Sequence, residues 1–227
     1  QGKRFVGGAG ANNTEALCFG GFTPPVTLNV ETWNGSSWTE TTNMNTARYG
    51  MASSGTIYTA AIGAGGDAPP NTGKTEIWNG SSWTETGDLN TARKYAAGGG
   101  TSTSCLASGG TTGSFTAATE EFTADVPVGA WTTRGRMHTA RMGAGGAGTQ
   151  TAAIGFGGGA GGTATKNAQA ETYDGTSFTE VADLNSARSL GAGLGTQTAA
   201  LLAGGDPPNA DDTGEVEQWN GSSWTEI

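Results

Sequence analysis

Short runs of apolar and small residues alternate with Gly-, Asn- and Thr-rich breaks along the whole chain, and no segment has helical periodicity. One stretch shows the pattern. Arg48 to Ser53 is rich in small residues, and Thr56 to Ala64 is mostly apolar and runs into Gly65-Gly66. Lys74 to Trp78 and Ser82 to Thr86 then flank Asn79-Gly80. Asn-Gly between two such runs is a strong hairpin signal, because both central residues of that turn need positive φ. It recurs at Asn34-Gly35 and Asn220-Gly221, with Asp174-Gly175 as its acidic equivalent. The stretch therefore predicts four short antiparallel strands.

The same unit occurs five times. An arginine recurs at Arg4, Arg48, Arg93, Arg141 and Arg188, followed by Gly20-Gly21, Gly65-Gly66, Gly109-Gly110, Gly157-Gly158 and Gly204-Gly205. An aromatic follows at Trp33, Trp78, Phe122, Tyr173 and Trp219, and a second at Trp38, Trp83, Trp131, Phe178 and Trp224. All seven tryptophans occupy these two positions. Four strands repeated every ~45 residues predict an all-β, five-bladed β-propeller with four antiparallel strands per blade. The blades are expected near 1–42, 43–87, 88–135, 136–182 and 183–227, each continuous in sequence, in a single domain spanning 1–227. Inner strands crowd together and carry Ala, Gly and Ser. Outer strands diverge and leave wedges, so Trp33, Trp38, Trp78, Trp83, Trp131, Trp219 and Trp224 are expected in the core between blades. The third unit departs from the others, with Asp125 to Gly129 inserted into its outer hairpin and Arg134, Arg136 and His138 after it.

Composition narrows the function. Glycine is about 18% of the chain (41 of 227), well above the usual ~7%, yet a flexible linker would not carry seven tryptophans. Eleven basic residues stand against 20 acidic ones, a formal charge of -9. That balance argues against nucleic acid and anionic lipid as partners. No apolar run is long enough to span a membrane, and no signal peptide opens the chain. Its start at Gln1 suggests a processed chain or part of a longer polypeptide or assembly. Cys18 and Cys105 fall on second strands of different blades, which places them too far apart for a bridge.

Arginine, Gly-Gly, aromatic and tryptophan in this order resemble the kelch repeat over essentially the whole chain, and Tyr173-Asp174 matches the dipeptide that closes the third strand in that family. The resemblance implies a propeller; six or seven units are usual there, against five here. The Gly-, Thr- and Asn-rich style also resembles kelch-like segments of bacteriophage virion proteins. A kelch-type copper oxidase similar to galactose oxidase would need two histidine ligands, and this chain has only His138.

The five arginines are expected to pair with Glu31, Glu76, Glu120 or Glu121, Glu171 and Glu217 as structural locks, since a specific anion site would break the repetition. Asn-Gly-Ser at Asn34, Asn79 and Asn220 also fits the N-glycosylation pattern, but the turn itself demands those residues. What varies is the loop after each Gly-Gly pair, and variable loops on a constant scaffold are where specificity resides. Phe22, Asp67, Asn71, Phe115, Lys166, Asn167, Asp206, Asn209, Asp211 and Asp212 are the candidate ligand-binding residues. Calcium is a candidate at Asp206 to Asp212, with solvation of an exposed loop the simpler account. No catalytic set, cofactor or metal site is expected. The chain reads as a non-catalytic binding or adhesion module on a virion or extracellular surface, with a protein or glycan ligand. A structural spacer in a larger phage assembly is the alternative, and a glycoside-processing enzyme a distant third.

Overall fold

A computed structural model describes residues 2–124, 128–160, 165–208 and 213–227. These form five four-stranded sheets, each of consecutive strands in the order first to fourth. The first sheet comprises Gly7–Asn12, Glu15–Phe19, Val30–Trp33 and Trp38–Thr41, and the second Ala52–Ile57, Ala60–Ala64, Thr75–Trp78 and Trp83–Thr86. The third comprises Ala97–Gly100, Ser104–Ser108, Thr119–Thr123 and Ala130–Arg134. The fourth comprises Gly145–Thr149, Ala152–Phe156, Ala170–Tyr173 and Phe178–Val181, and the fifth Ala192–Thr196, Ala199–Gly205, Thr213–Trp219 and Trp224–Glu226. The described residues contain no helix, so none is long and apolar enough to cross a membrane. This is a five-bladed β-propeller fold with antiparallel pairing throughout its blades. Packing divides the chain into two compact units, one of Gln1–Lys94, Gly100–Cys105 and Glu120–Thr132, the other of Tyr95–Gly99, Leu106–Thr119 and Thr133–Ile227.

Glycine does specific work where strands of neighbouring sheets meet. Within the second unit, a Cβ on Gly193 would lie 2.6 Å from the Gly146 nitrogen, so the first strands of the fourth and fifth sheets approach backbone to backbone. The Gly-Gly pairs link sheets in the same way. Gly20 and Gly21 adopt φ of 60° and 105°, and the Gly21 N–H donates to the Arg48 carbonyl at 2.9 Å. A Cβ on Gly20 would sit 2.6 Å from that same oxygen. Gly66, Gly110 and Gly158 donate likewise, at 2.8 Å, to the carbonyls of Arg93, Arg141 and Arg188. Each pair thus grips the arginine of the following repeat.

The first strand of the second sheet starts at Ala52 rather than Arg48, because Gly50 turns the chain at φ 64°. In the outer hairpins, Asn34 Oδ1 accepts from the N–H groups of Ser36 and Ser37 at 3.0 and 2.9 Å, and Asn79, Asp174 and Asn220 repeat the arrangement. The third-strand indoles are fixed too: Trp33, Trp78 and Trp219 donate to the carbonyls of Asn13, Tyr58 and Gln197.

The outer aromatics fill the wedges in four sheets. Trp83 lies on Phe19 of the preceding sheet with ring centroids 4.9 Å apart, and Trp224 on Phe156 at 4.8 Å. Trp131 donates its indole N–H to Thr75 Oγ1 at 3.0 Å. Trp38 does not fit the expectation of burial: it is 50% exposed, and Trp33 is only half-buried. The other outer aromatics lie on the sheet that precedes theirs in sequence. Neither cysteine is in a disulfide.

Candidate functional site

The frame beneath the loops is a set of buried ion pairs. Arg48 reaches Glu76 at 3.1 Å, Arg93 reaches Glu120 at 3.1 Å, Arg188 reaches Glu217 at 2.9 Å, and Arg141 pairs with Glu171. Glu120 rather than Glu121 is thus the partner in the third repeat. These guanidiniums also donate to nearby carbonyls, as Arg48 does to Lys74 and Gly63. Burial lowers the pKa of Arg48 and Arg93 despite Glu76 and Glu120, and brings Arg141 down to about 10 despite Asp183 and Glu180. All stay charged at neutral pH, yet none is open to a ligand.

The first repeat requires a correction. Lys3, not Arg4, holds the repeat position: its ammonium lies 2.6 Å from Glu31 and donates to the Asn29 carbonyl. The bridge pattern sets this register: Arg4 pairs with Phe22 as Tyr49 pairs with Asp67 and Ser189 with Asp206, so Arg4 corresponds to the residue after the repeat cation and is exposed.

His138 is part of the same frame. Asn45, Asn90 and Asn185 each donate a backbone N–H and a side-chain amide to the glutamate of their repeat. His138 takes that place over Glu171, through its N–H at 2.8 Å and Nδ1 at 2.9 Å. The signal was present as Asn-Thr-Ala-Arg, His-Thr-Ala-Arg and Asn-Ser-Ala-Arg, with the single histidine standing for an asparagine.

The loops rise from this frame. The first loop residue pairs with the residue after the repeat cation: Phe22 with Arg4, Asp67 with Tyr49, and Asp206 with Ser189. Four of the loops then close on themselves, through Phe22 with Val26, Asp67 with Asn71, Thr111 with Phe115, and Gly159 with Lys166. A further bond seals the base, from Thr27, Thr72, Thr116 and Asn167 N–H back to the second glycine.

In the first unit this brings a cluster together. Tyr49 lies 5.4 Å from Phe22 and 6.0 Å from Phe5, ring centroid to centroid. Arg4 stands 5.0 Å from the Phe22 centroid and 5.4 Å from that of Phe5, and Lys94 stands 5.5 Å from that of Tyr49. Asp67 accepts from the Tyr49 hydroxyl at 2.8 Å and pairs with Lys94 of the next repeat. Phe5 sits at φ 57°, a left-handed conformation that is costly for an aromatic residue. All three rings remain partly exposed.

Of the residues read from the sequence, Phe22 and Asp67 belong to this cluster, and Asn71 flanks it. Phe115 lies in the second unit. Lys166 and Asp206 pair with each other there, with Lys166 also donating to Ser189 Oγ at 3.2 Å. Asn167 is consumed by its own loop, accepting from Gln169 N–H at 2.7 Å. Asn209, Asp211 and Asp212, and with them most of the calcium candidate, lie outside the described residues. Among the described residues no three His, Cys, Asp or Glu side chains converge as metal ligands would. Arg4, Phe5, Tyr49 and Lys94 were missed as site residues because they lie before the first strand rather than in the variable loop.

No family model matches the sequence, and a search of curated proteins finds no match. The fold is shared with 213 chains of known structure, too many for the likeness to carry one activity. One is the structure of YjhT, 12% identical, with a TM-score of 0.80 over 99% of this chain and 84% of that one. At that identity the likeness is one of fold alone.

Proposed function

We propose that this chain is a non-catalytic recognition module, a kelch-like propeller that binds a glycan through its second-to-third-strand loops on a virion or extracellular surface. The observation that carries the reading is the cluster of Phe5, Phe22 and Tyr49 held between Arg4 and Lys94. Partly open ring faces suit the C–H faces of a sugar, and the flanking cations with Asp67 supply polar contacts that fix its orientation. Main-chain bonds hold the segments that carry the rings, so less backbone ordering would be needed on binding.

The remaining chemistry supports binding over catalysis. Asp67 and Asp206 on the loops are each paired with a lysine, and the repeat glutamates with a repeat cation. The order of Arg, Gly-Gly and aromatics supports the kelch assignment, and the Gly-, Thr- and Asn-rich style supports a phage virion setting. A structural role in a larger assembly is the second reading, favoured by the half-exposed Trp38.

A glycan array probed with the chain, with and without calcium, tests the proposal beside a Phe22→Ala/Tyr49→Ala variant. Binding by the wild type that the variant loses while keeping its fold is the expected result. Binding that depends on calcium and survives the variant would move the site to the loop around Asp206. A blank array in both conditions would overturn the glycan reading in favour of a protein partner or a structural role.

A further inference from the structure

One cation of the ring cluster has no carboxylate. Eight of the eleven basic side chains are ion-paired, from Lys3 with Glu31 to Arg188 with Glu217. Lys94 is among them, held by Asp67, which also accepts from the Tyr49 hydroxyl. Arg4 is not. It is exposed, and among the described residues its guanidinium has neither a hydrogen bond nor an ion pair. It stands beside the rings of Phe22 and Phe5, 5.0 and 5.4 Å from their centroids.

The repeat explains why. At the base of its loop, the second repeat sets Tyr49 opposite Asp67, and the fifth sets Ser189 opposite Asp206. Both carboxylates are taken locally, Asp67 by Tyr49 and Lys94, and Asp206 by Lys166. The first repeat sets Phe22 opposite Arg4, a ring where those two repeats have an acid. A guanidinium beside aromatic rings offers them its flat face and keeps its N–H fork for another partner. Phe5 points the same way. It holds φ 57° where the equivalent Gly50 takes 64°, a conformation that only glycine adopts without cost. Strain kept for the sake of a large ring beside Arg4 marks a functional position.

We infer that Arg4 receives the oxyanion of an acidic glycan, a carboxylate or a sulfate ester on the sugar that lies against the rings. This inference rests on the glycan reading of the cluster and narrows it to a ligand class. The guanidinium fork matches a pair of anionic oxygens in both geometry and charge, whereas a neutral sugar leaves that charge unmatched. The chain as a whole carries a formal charge of -9, which opposes an anionic ligand. A preference for one must therefore arise from a local contact.

A glycan array of matched members tests it: hexuronate oligosaccharides, their carboxyl-reduced neutral counterparts, and those neutral counterparts bearing sulfate esters. The chain is expected to favour an anionic series over its neutral counterpart by about tenfold or more. Which series it favours tells carboxylate from sulfate. Arg4→Gln should abolish the preference. Arg136→Gln makes the same change of charge at an exposed arginine outside the cluster and should keep it, which separates contact from overall charge. Thermal unfolding checks that both variants are folded; the main chain of Arg4 bonds to Phe22 whatever its side chain. Neutral members bound as well as anionic ones would overturn the inference and leave the glycan reading standing. So would a preference that survives Arg4→Gln or is lost equally in Arg136→Gln. No binding to any member would overturn both.

Discussion

Thr75→Val probes the rule by which the sheets are joined. Thr75 is fully buried, and its hydroxyl oxygen accepts from Trp131 Nε1 at 3.0 Å. The same third-strand position is Val30 beneath Trp83 and Ala170 beneath Trp224, and both of those indole N–H groups are buried without a hydrogen-bond partner. The converse holds in the fourth repeat, where Phe178 replaces the indole and Thr119 Oγ1 is buried without a donor. Exchanging hydroxyl for methyl at Thr75 keeps the shape but leaves the Trp131 N–H unpaired. That costs about 1–3 kcal/mol, offset by about 0.8 kcal/mol for the added apolar group. A net loss near 1–2 kcal/mol is expected, or ~2–4 °C in Tm per kcal/mol for a domain of this size.

Val30→Thr is the opposite experiment. Its hydroxyl would stand where Thr75 stands, beneath an unpaired indole, so the new bond should balance or exceed the lost methyl and stability should hold or rise by up to about 1 kcal/mol. Urea unfolding of the wild type and the two variants, with the slope checked for constancy, gives both numbers. Equal losses in both variants, or none in Thr75→Val, would refute the claim that these indoles lack a partner at a measurable cost.

Other outcomes follow from the same structure. Trp83→Ala should lose about 3–5 kcal/mol of stability, whereas Trp38→Ala, half-exposed in the first sheet, should lose under about 1 kcal/mol in dilute solution; chemical denaturation separates them. Asp174→Asn should flatten the acid limb of stability. The N–H groups of Ser177 and Thr176 hold this carboxyl below the ordinary carboxylate range, so its ionised form stabilises the turn above that range. The contribution is lost as pH falls through the folded pKa, and an asparagine, as at Asn34, has none to lose; Tm against pH reads the difference. Gly155→Ala should raise Tm, because a Cβ there meets nothing within 4 Å and points to a small gap lined by Leu106, Ile154 and Phe178. A fall in Tm would show that the gap cannot accept a methyl.

The sheets were legible because a period near 45 residues, Asn-Gly turns and Gly-Gly pairs are local signals that repeat. The pairing of cation and glutamate was legible for the same reason in four repeats. It failed at Arg4, since neither arginine spacing nor the interval to Gly-Gly tells Lys3 from its neighbour; the pairing of Lys3 with Glu31 and of Arg4 with Phe22 decides it. Burial of Trp38 was misjudged because the repeat position describes a residue's own sheet, while its cover comes from another. At the loops, the sequence pointed to Phe22 and Asp67 but not to Arg4, Phe5, Tyr49 or Lys94. Those four join the site through pairing between segments about 18 residues or more apart, or through contact with an adjacent repeat. Asn167 misled in the other direction: a polar residue in a variable loop, it is spent on the turn at its base.

The closure at the foot of these four loops has a practical consequence for anyone wishing to re-engineer this surface. In the first repeat, Phe22 is bonded to Arg4 on one side and Val26 on the other, and Thr27 N–H returns to the Gly21 carbonyl. The segment from Thr23 to Pro25 is therefore clamped at both ends by main-chain bonds that do not depend on its own side chains. Foreign sequences of varied length could be grafted between those clamps without disturbing the strands below, as hypervariable loops are exchanged on an antibody framework. Four such sockets among the described residues make the chain a candidate scaffold for display libraries.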